Sequence, residues 1–240
     1  RIYARYDFGR LARIHMLDGR QYRTPQACPR PGRGGANVVG ESCRELFDPE
    51  RTMLSSQQER WLDDGVRGAA DRWNVLAQAT LMARADPRIG GEEQFWTDAW
   101  DGYPAARTRL LTGLRDRDAR SCVVISGDAH ATFAADLRQD AGNEDSPVVA
   151  TEVCGTSITS QGRPASQIET LLRENPDIHY ADASRRGYTV LDITPDETRV
   201  ALRVLDDAAV RTTGVSTAAT FTVERDRPGL QDQGAVRPRR

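Results

Sequence analysis

"CVVISGDAHATFAADL" spans Cys122 to Leu137. A β-branched apolar run, Cys122–Ser126, stops at Gly127, and an alternating apolar run resumes at Thr132. Both runs have the length and composition of strands, the first buried on both faces. Between them stand Asp128 and His130, spaced i and i+2. On an extended chain these two side chains leave the same face. A carboxylate and an imidazole would then converge where a buried strand ends. Gly127 lets the backbone bend there or lets a ligand approach closely. Carboxylate oxygen with imidazole nitrogen suits iron, manganese or zinc, and carboxylate oxygen alone also suits calcium. The competing reading is an Asp and a His solvated on a loop. A serine hydrolase with Ser126 as nucleophile fits poorly. Ser126 lies inside the strand run without a G-x-S-x-G elbow, and i, i+2 neighbours on one strand rarely make the His–Asp contact a triad needs.

Outward from this stretch the chain alternates helical and strand patterns. Phe8–Asp18 reads as a strand that enters a loop at Asp18-Gly19, and residues 23–50 read as a long Gly/Pro-rich loop. Ser56 stands three residues before Glu59, the spacing of a capping box, ahead of Trp61, Leu62 and Val66 at helical spacing. "DRWNVLAQATLMARA" fits either a buried strand or a helix. Pro104 suits the first turn of a helix continuing to Leu114, and a second helix fits Pro164–Glu174. Further strands are expected at Val148–Cys154, Gly187–Ile193, Thr198–Leu205 and Thr220–Val223, and a polar tail, disordered, from residue 226 to 240. This mixture predicts an α/β (α+β) fold with sheet packed between helices.

The 240 residues are 38% hydrophobic and 28% charged, with a net charge of −2. That balance excludes a bulk nucleic-acid surface, and no apolar run reaches the ~20 residues of a membrane helix. All 33 basic residues are Arg, which base composition explains better than ligand binding. Cys122 and Cys154 lie in apolar runs as small hydrophobes. Cys28 and Cys43 bracket a Pro/Gly-rich loop of the kind a disulfide staples, and the residues alone leave bridge and free thiols equally open. His15 reads as a core histidine and His179 as a surface one.

"SGDAHATFAADL" resembles the GD-x-H block of PhoD-like alkaline phosphatases/phosphodiesterases, within the metallophosphatase superfamily. "FGRLARIHMLDGRQYR", "RTMLSSQQERWL" (with Ser55 in the family's Gly position), "WNVLAQATLMA", "DAWDGYPAARTRLL", "TEVCGTSITSQG" and "RRGYTVLDITPDETRVALRVLD" also resemble family segments, in the right order, over residues 1–225. The resemblance implies an αββα metallophosphatase-like sandwich. It implies hydrolysis of phosphate esters by metal-activated water, with iron and calcium as cofactors, Asp128 and His130 as metal-ligating and catalytic residues, and a monomer exported by the twin-arginine route. Asp18 and Arg20 could line the site, or form a buried ion pair at the strand end. Asp101, Tyr103 and Arg107 could line a substrate cleft, or cap and pack a helix. Arg186 could offer a phosphate fork, and Glu152 is a weaker candidate. The family's Ser-Cys strand end, G-D-x-x-Y and D-D-H-E blocks are not in this sequence. The chain is therefore expected to lack the N-terminal half of the fold and to be inactive alone. The rival expectation is a non-catalytic remnant that binds a cation or a partner.

Overall fold

A computed structural model describes residues 1–32, 35–69, 71–86 and 91–233. In chain order the elements are β1 (Ala4–Phe8), β2 (Ala12–Met16), β3 (Val38–Gly40), α1 (Ser56–Arg67), β4 (Trp73–Ala77), β5 (Gln94–Trp96), α2 (Pro104–Asp116), β6 (Cys122–Ser126), β7 (Thr132–Arg138), β8 (Val148–Cys154), α3 (Ala165–Glu174), β9 (Ile178–Asp182), β10 (Gly187–Ile193), β11 (Glu197–Leu205), β12 (Val215–Glu224) and β13 (Arg227–Asp232).

Seven strands form one sheet in the order β1-β2-β4-β6-β8-β7-β9, and four form a second, β10-β11-β12-β13. β2, β4, β6 and β8 run parallel, which requires the crossovers that α1 and α2 supply. Leu62 and Val66 of α1, Leu111 and Leu114 of α2, and Ile168 and Leu171 of α3 pack with Leu76, Val124, Leu137 and Ala150 of the large sheet. Its other face, through Ala134, Val153 and Tyr180, meets Val200, Leu202, Val204 and Phe221 of the small sheet. β6 is thus covered on both sides, which is why its sequence is an unbroken apolar run. Trp73 Nε1 ties the two sheets by donating to Thr194 O at 2.7 Å. The layers are helices, sheet, sheet. Among the described residues no helix covers the small sheet's outer face, where Tyr188 and Val190 are exposed. That is the expected αββα sandwich with one helical layer not represented.

Several local expectations change. Phe8–Asp18 is not one strand: the chain turns at Gly9, at φ +55°, between antiparallel β1 and β2. The "DRWNVLAQATLMARA" stretch resolves to the strand β4. The helix cap is Ser55, not Ser56: its side chain accepts from Gln58 N, while Glu59 turns to Thr52 Oγ1 and Arg109. Ser55 has φ 70° and ψ 151°, a region that is essentially glycine's. A Gly at this position would adopt that backbone without the strain. The expected disordered tail begins instead as β13, paired with β12; residues 234–240 lie outside the described ones.

The histidines also separate. His15 is fully buried against Asn74 Oδ1 at 3.0 Å, and desolvation pulls its pKa down to about 4. His179, expected on a surface loop, lies on β9 and bonds Asp136 Oδ2 at 2.9 Å. The other oxygen of Asp136 accepts from Leu230 N at 2.8 Å, so the pair holds β13 against the large sheet. The Asp136 hydrogen bond raises the His179 pKa above its ordinary value. A raised folded pKa stabilises fully below the unfolded value of about 6.5, and that contribution disappears as pH rises through the folded value. Because the His179 side chain is 37% exposed, screening limits the contribution to below about 1 kcal/mol. His179→Gln is expected to lower the melting temperature near about pH 6 and to match the parent near about pH 9. A difference that stays constant across that range would contradict the pairing.

Candidate active site at the carboxyl edge of the large sheet

β6 and β7 are consecutive in the chain, yet β8 lies between them in the sheet. Residues 127–131 must therefore cross the end of β8, a span of two strand spacings, roughly 10 Å. Such crossings at the carboxyl edge of an open sheet are where α/β folds bind ligands. Gly155 N bonds Ser126 O at 2.9 Å beneath the crossing. The loop is not extended. Asp128 takes φ 67° and His130 φ 55°, both left-handed. Asp and His tolerate this region better than most residues, and strain of this kind gathers at functional sites. Both side chains are exposed and line the same cavity. They come together through a bend rather than through strand alternation.

Arg20 arrives from the loop after β2 and donates to Asp128 Oδ2 at 2.9 Å and to Asp98 Oδ1 at 2.8 Å. Asp98 also pairs with Arg23 at 2.7 Å and accepts from Gln26. Asp18 forms no ion pair with Arg20. Its Oδ1 instead accepts the backbone N–H groups of Arg20 and Gln21 at 3.0 Å, shaping the turn that aims Arg20. The segment that follows Gln26 is closed on itself by a Cys28–Cys43 disulfide, 15 residues apart in sequence. A loop of that length contributes about 3 kcal/mol through the unfolded chain.

The cavity has a volume of about 460 Å³. Its floor is the segment Thr80–Ala85, its sides the 128–130 loop and Trp96–Asp101, and its rim Gln161–Arg163. Glu152 on β8, fully buried, holds that floor. It accepts Met82 N at 2.9 Å, Ala83 N at 2.6 Å and the Ser126 hydroxyl at 2.5 Å. Burial pushes its carboxyl pKa up against the pull of these donors. Arg107, also buried, donates to Met82 O at 2.8 Å. Asp101 reaches the cavity, but accepts from Ala85 N at 3.2 Å and pairs with Arg84 at 3.3 Å rather than capping α2. Tyr103 is fully buried and donates to Thr24 O at 2.7 Å. Asp101 thus forms part of the wall, and Tyr103 and Arg107 shape it from behind. Arg186 is elsewhere: it donates to Ala183 O and lines a different cleft with Asp206 and Asp207. Cys122 and Cys154 are buried thiols with pKa values pushed up to about 12.

Asp98, Trp96 and Arg163 are not among the residues that the sequence singles out. Asp98 and Trp96 stand in "FWTDAWDGY", and Arg163 in "QGRP" just before a helix start. Nothing in either string ties it to residue 128.

Among the described residues no group of three or more His, Cys, Asp or Glu could hold a metal ion. Iron sites take more than two protein donors and calcium takes 6–8 oxygens. Asp128 and His130 do not by themselves fit either ion.

The family model of the PhoD-like phosphatases matches residues 1–202. The chain belongs to the PhoD-like phosphatase family. It is 33% identical over 233 residues to alkaline phosphatase D of Bacillus subtilis (strain 168), covering 96% of this chain and 39% of that protein. A solved structure titled "Structure of PhoD" superposes with a TM-score of 0.88 at 32% identity, over 98% of this chain and 44% of that one. The chain therefore spans about two fifths of the curated relative. The seven-stranded sheet and the Asp128–His130 crossing lie inside the family match.

Proposed function

We propose that this chain is the part of a phosphoester hydrolase that carries Asp128 and His130. The complete protein hydrolyses phosphate monoesters or diesters with metal ions, iron and calcium by the family resemblance, held in part by these two residues. The observation that carries the reading is their convergence, in strained left-handed backbone, on one cavity at the carboxyl edge of the sheet. Arg20 orients Asp128, and the imidazole of His130 is free to ligate or to move a proton. The remaining donors come from outside the described residues, so the chain alone is inactive. The Cys28–Cys43 bridge supports export to an oxidising compartment, by the twin-arginine route. The substrate is a small phosphate ester, since the net charge of −2 offers no surface for bulk nucleic acid; the protein acts as a monomer. No described helix is long and apolar enough to cross a membrane. The test is turnover of 4-nitrophenyl phosphate and bis(4-nitrophenyl) phosphate by the complete, metal-loaded protein. No turnover of either would overturn the reading in favour of a non-catalytic cation-binding module.

A further inference from the structure

The arginines around the cavity are not equivalent. Arg20 is neutralised by Asp98 and Asp128, Arg23 by Asp98, and Arg84 by Asp86 and Asp101. Arg163 lines the rim without a carboxylate partner among the described residues; its one hydrogen bond among them is Nε to Ala129 O at 3.5 Å. The residue before it packs closely on the chain, where a Cβ on Gly162 would lie 1.9 Å from Ala183 O. A guanidinium that pairs with no carboxylate, on the cavity that Asp128 and His130 also line, suits an anionic oxygen.

A second feature completes the cavity. The ribbon of β3 and β5 pairs Val38 with Trp96 in register. Both line the cavity, and both remain exposed, at 37% and 38%, although the same ribbon buries Val39 and Phe95 in its own small core. An indole and a β-branched side chain presented together in a cleft make an apolar platform on which a ring stacks.

We propose that the cavity reads its substrate in two parts: Arg163 binds a phosphoryl oxygen, and the Trp96–Val38 platform receives the organic group of the ester. The platform then favours a phosphate ester that carries a ring over inorganic phosphate itself. The inference rests on the phosphoesterase reading for its ligand class, and its test needs no turnover. Isothermal titration of this chain with inorganic phosphate and with 4-nitrophenyl phosphate separates the two parts. Arg163→Gln is expected to weaken both ligands. Trp96→Ala is expected to weaken 4-nitrophenyl phosphate about tenfold while leaving inorganic phosphate unchanged, and Trp96→Phe to restore most of the difference. Equal loss of both ligands in Trp96→Ala, undiminished binding in Arg163→Gln, or no binding of either ligand to the parent chain would overturn the proposal. Absence of hydrolysis in the complete protein strikes only the phosphoesterase reading, since the binding comparison stands without it.

Discussion

Asp128→Asn is expected to lower kcat/KM of the complete protein for a phosphate ester by roughly a hundredfold or more, while its melting temperature stays within about 2 °C of the parent. The substitution removes one negative charge and little else. Asp128 is exposed, and its one side-chain hydrogen bond among the described residues is the 2.9 Å bond from Arg20. The amide oxygen of Asn can still accept that bond. The left-handed backbone at φ 67° suits Asn as well as Asp, so misfolding offers no explanation for lost activity. Asp128→Gly sharpens the comparison: it relieves the strain and is expected to raise the melting temperature slightly while losing turnover. Steady-state kinetics beside thermal melts of the three proteins decide the matter. An Asn variant with full turnover would remove the Asp128 charge from the chemistry.

The largest stability effect is expected at Glu152. Glu152→Ala leaves the N–H groups of Met82 and Ala83 buried without an acceptor and the Ser126 hydroxyl without its partner. Each orphaned donor costs about 1–3 kcal/mol. Ser126 can rotate to another acceptor, so the expected loss is about 3–5 kcal/mol. Arg107, buried and bonded to Met82 O, loses a nearby opposite charge as well. Glu152→Gln keeps one acceptor oxygen but turns an amide NH₂ toward backbone donors, so it is expected to fall between parent and Ala. Urea unfolding of the three proteins reads the differences. An Ala variant within about 1 kcal/mol of the parent would show that the floor segment Thr80–Ala85 is held by something else. Because that segment lines the cavity, the Ala variant is also expected to weaken phosphate binding at any temperature where it remains folded.

The sequence and the structure divide these results unevenly. The β6 run was legible because a strand covered by helices on one side and a sheet on the other must be apolar at every position. The helices α2 and α3 were legible from the prolines at their starts, and β7, β8, β10, β11 and part of β12 from their strand-like runs. β9 was missed because its charged partners are tertiary: His179 and Asp182 read as loop residues until Asp136 and Arg185 are set beside them. β13 was missed because a Pro/Gly-containing edge strand has little apolar signal of its own.

For the site, the sequence by itself determined that Asp128 and His130 follow a buried strand closely enough to act together, and the order of seven family-like segments assigned the chain's class. Whether Cys28 and Cys43 pair could not be read from spacing, since closure depends on where the two Cα atoms come to rest, here 6.1 Å apart. Only the tertiary structure decided which other groups share the cavity. Arg20 reaches Asp128 across 108 residues of sequence, and Trp96 and Arg163 enter from a ribbon and a helix lead-in with no sequence link to either. It also decided against Arg186, Tyr103 and Arg107 as cavity-lining groups. The physical reason is that local periodicity sets which face a side chain leaves, whereas sheet order sets which loops meet. Here β8 inserts between β6 and β7 and gathers the site at the crossing.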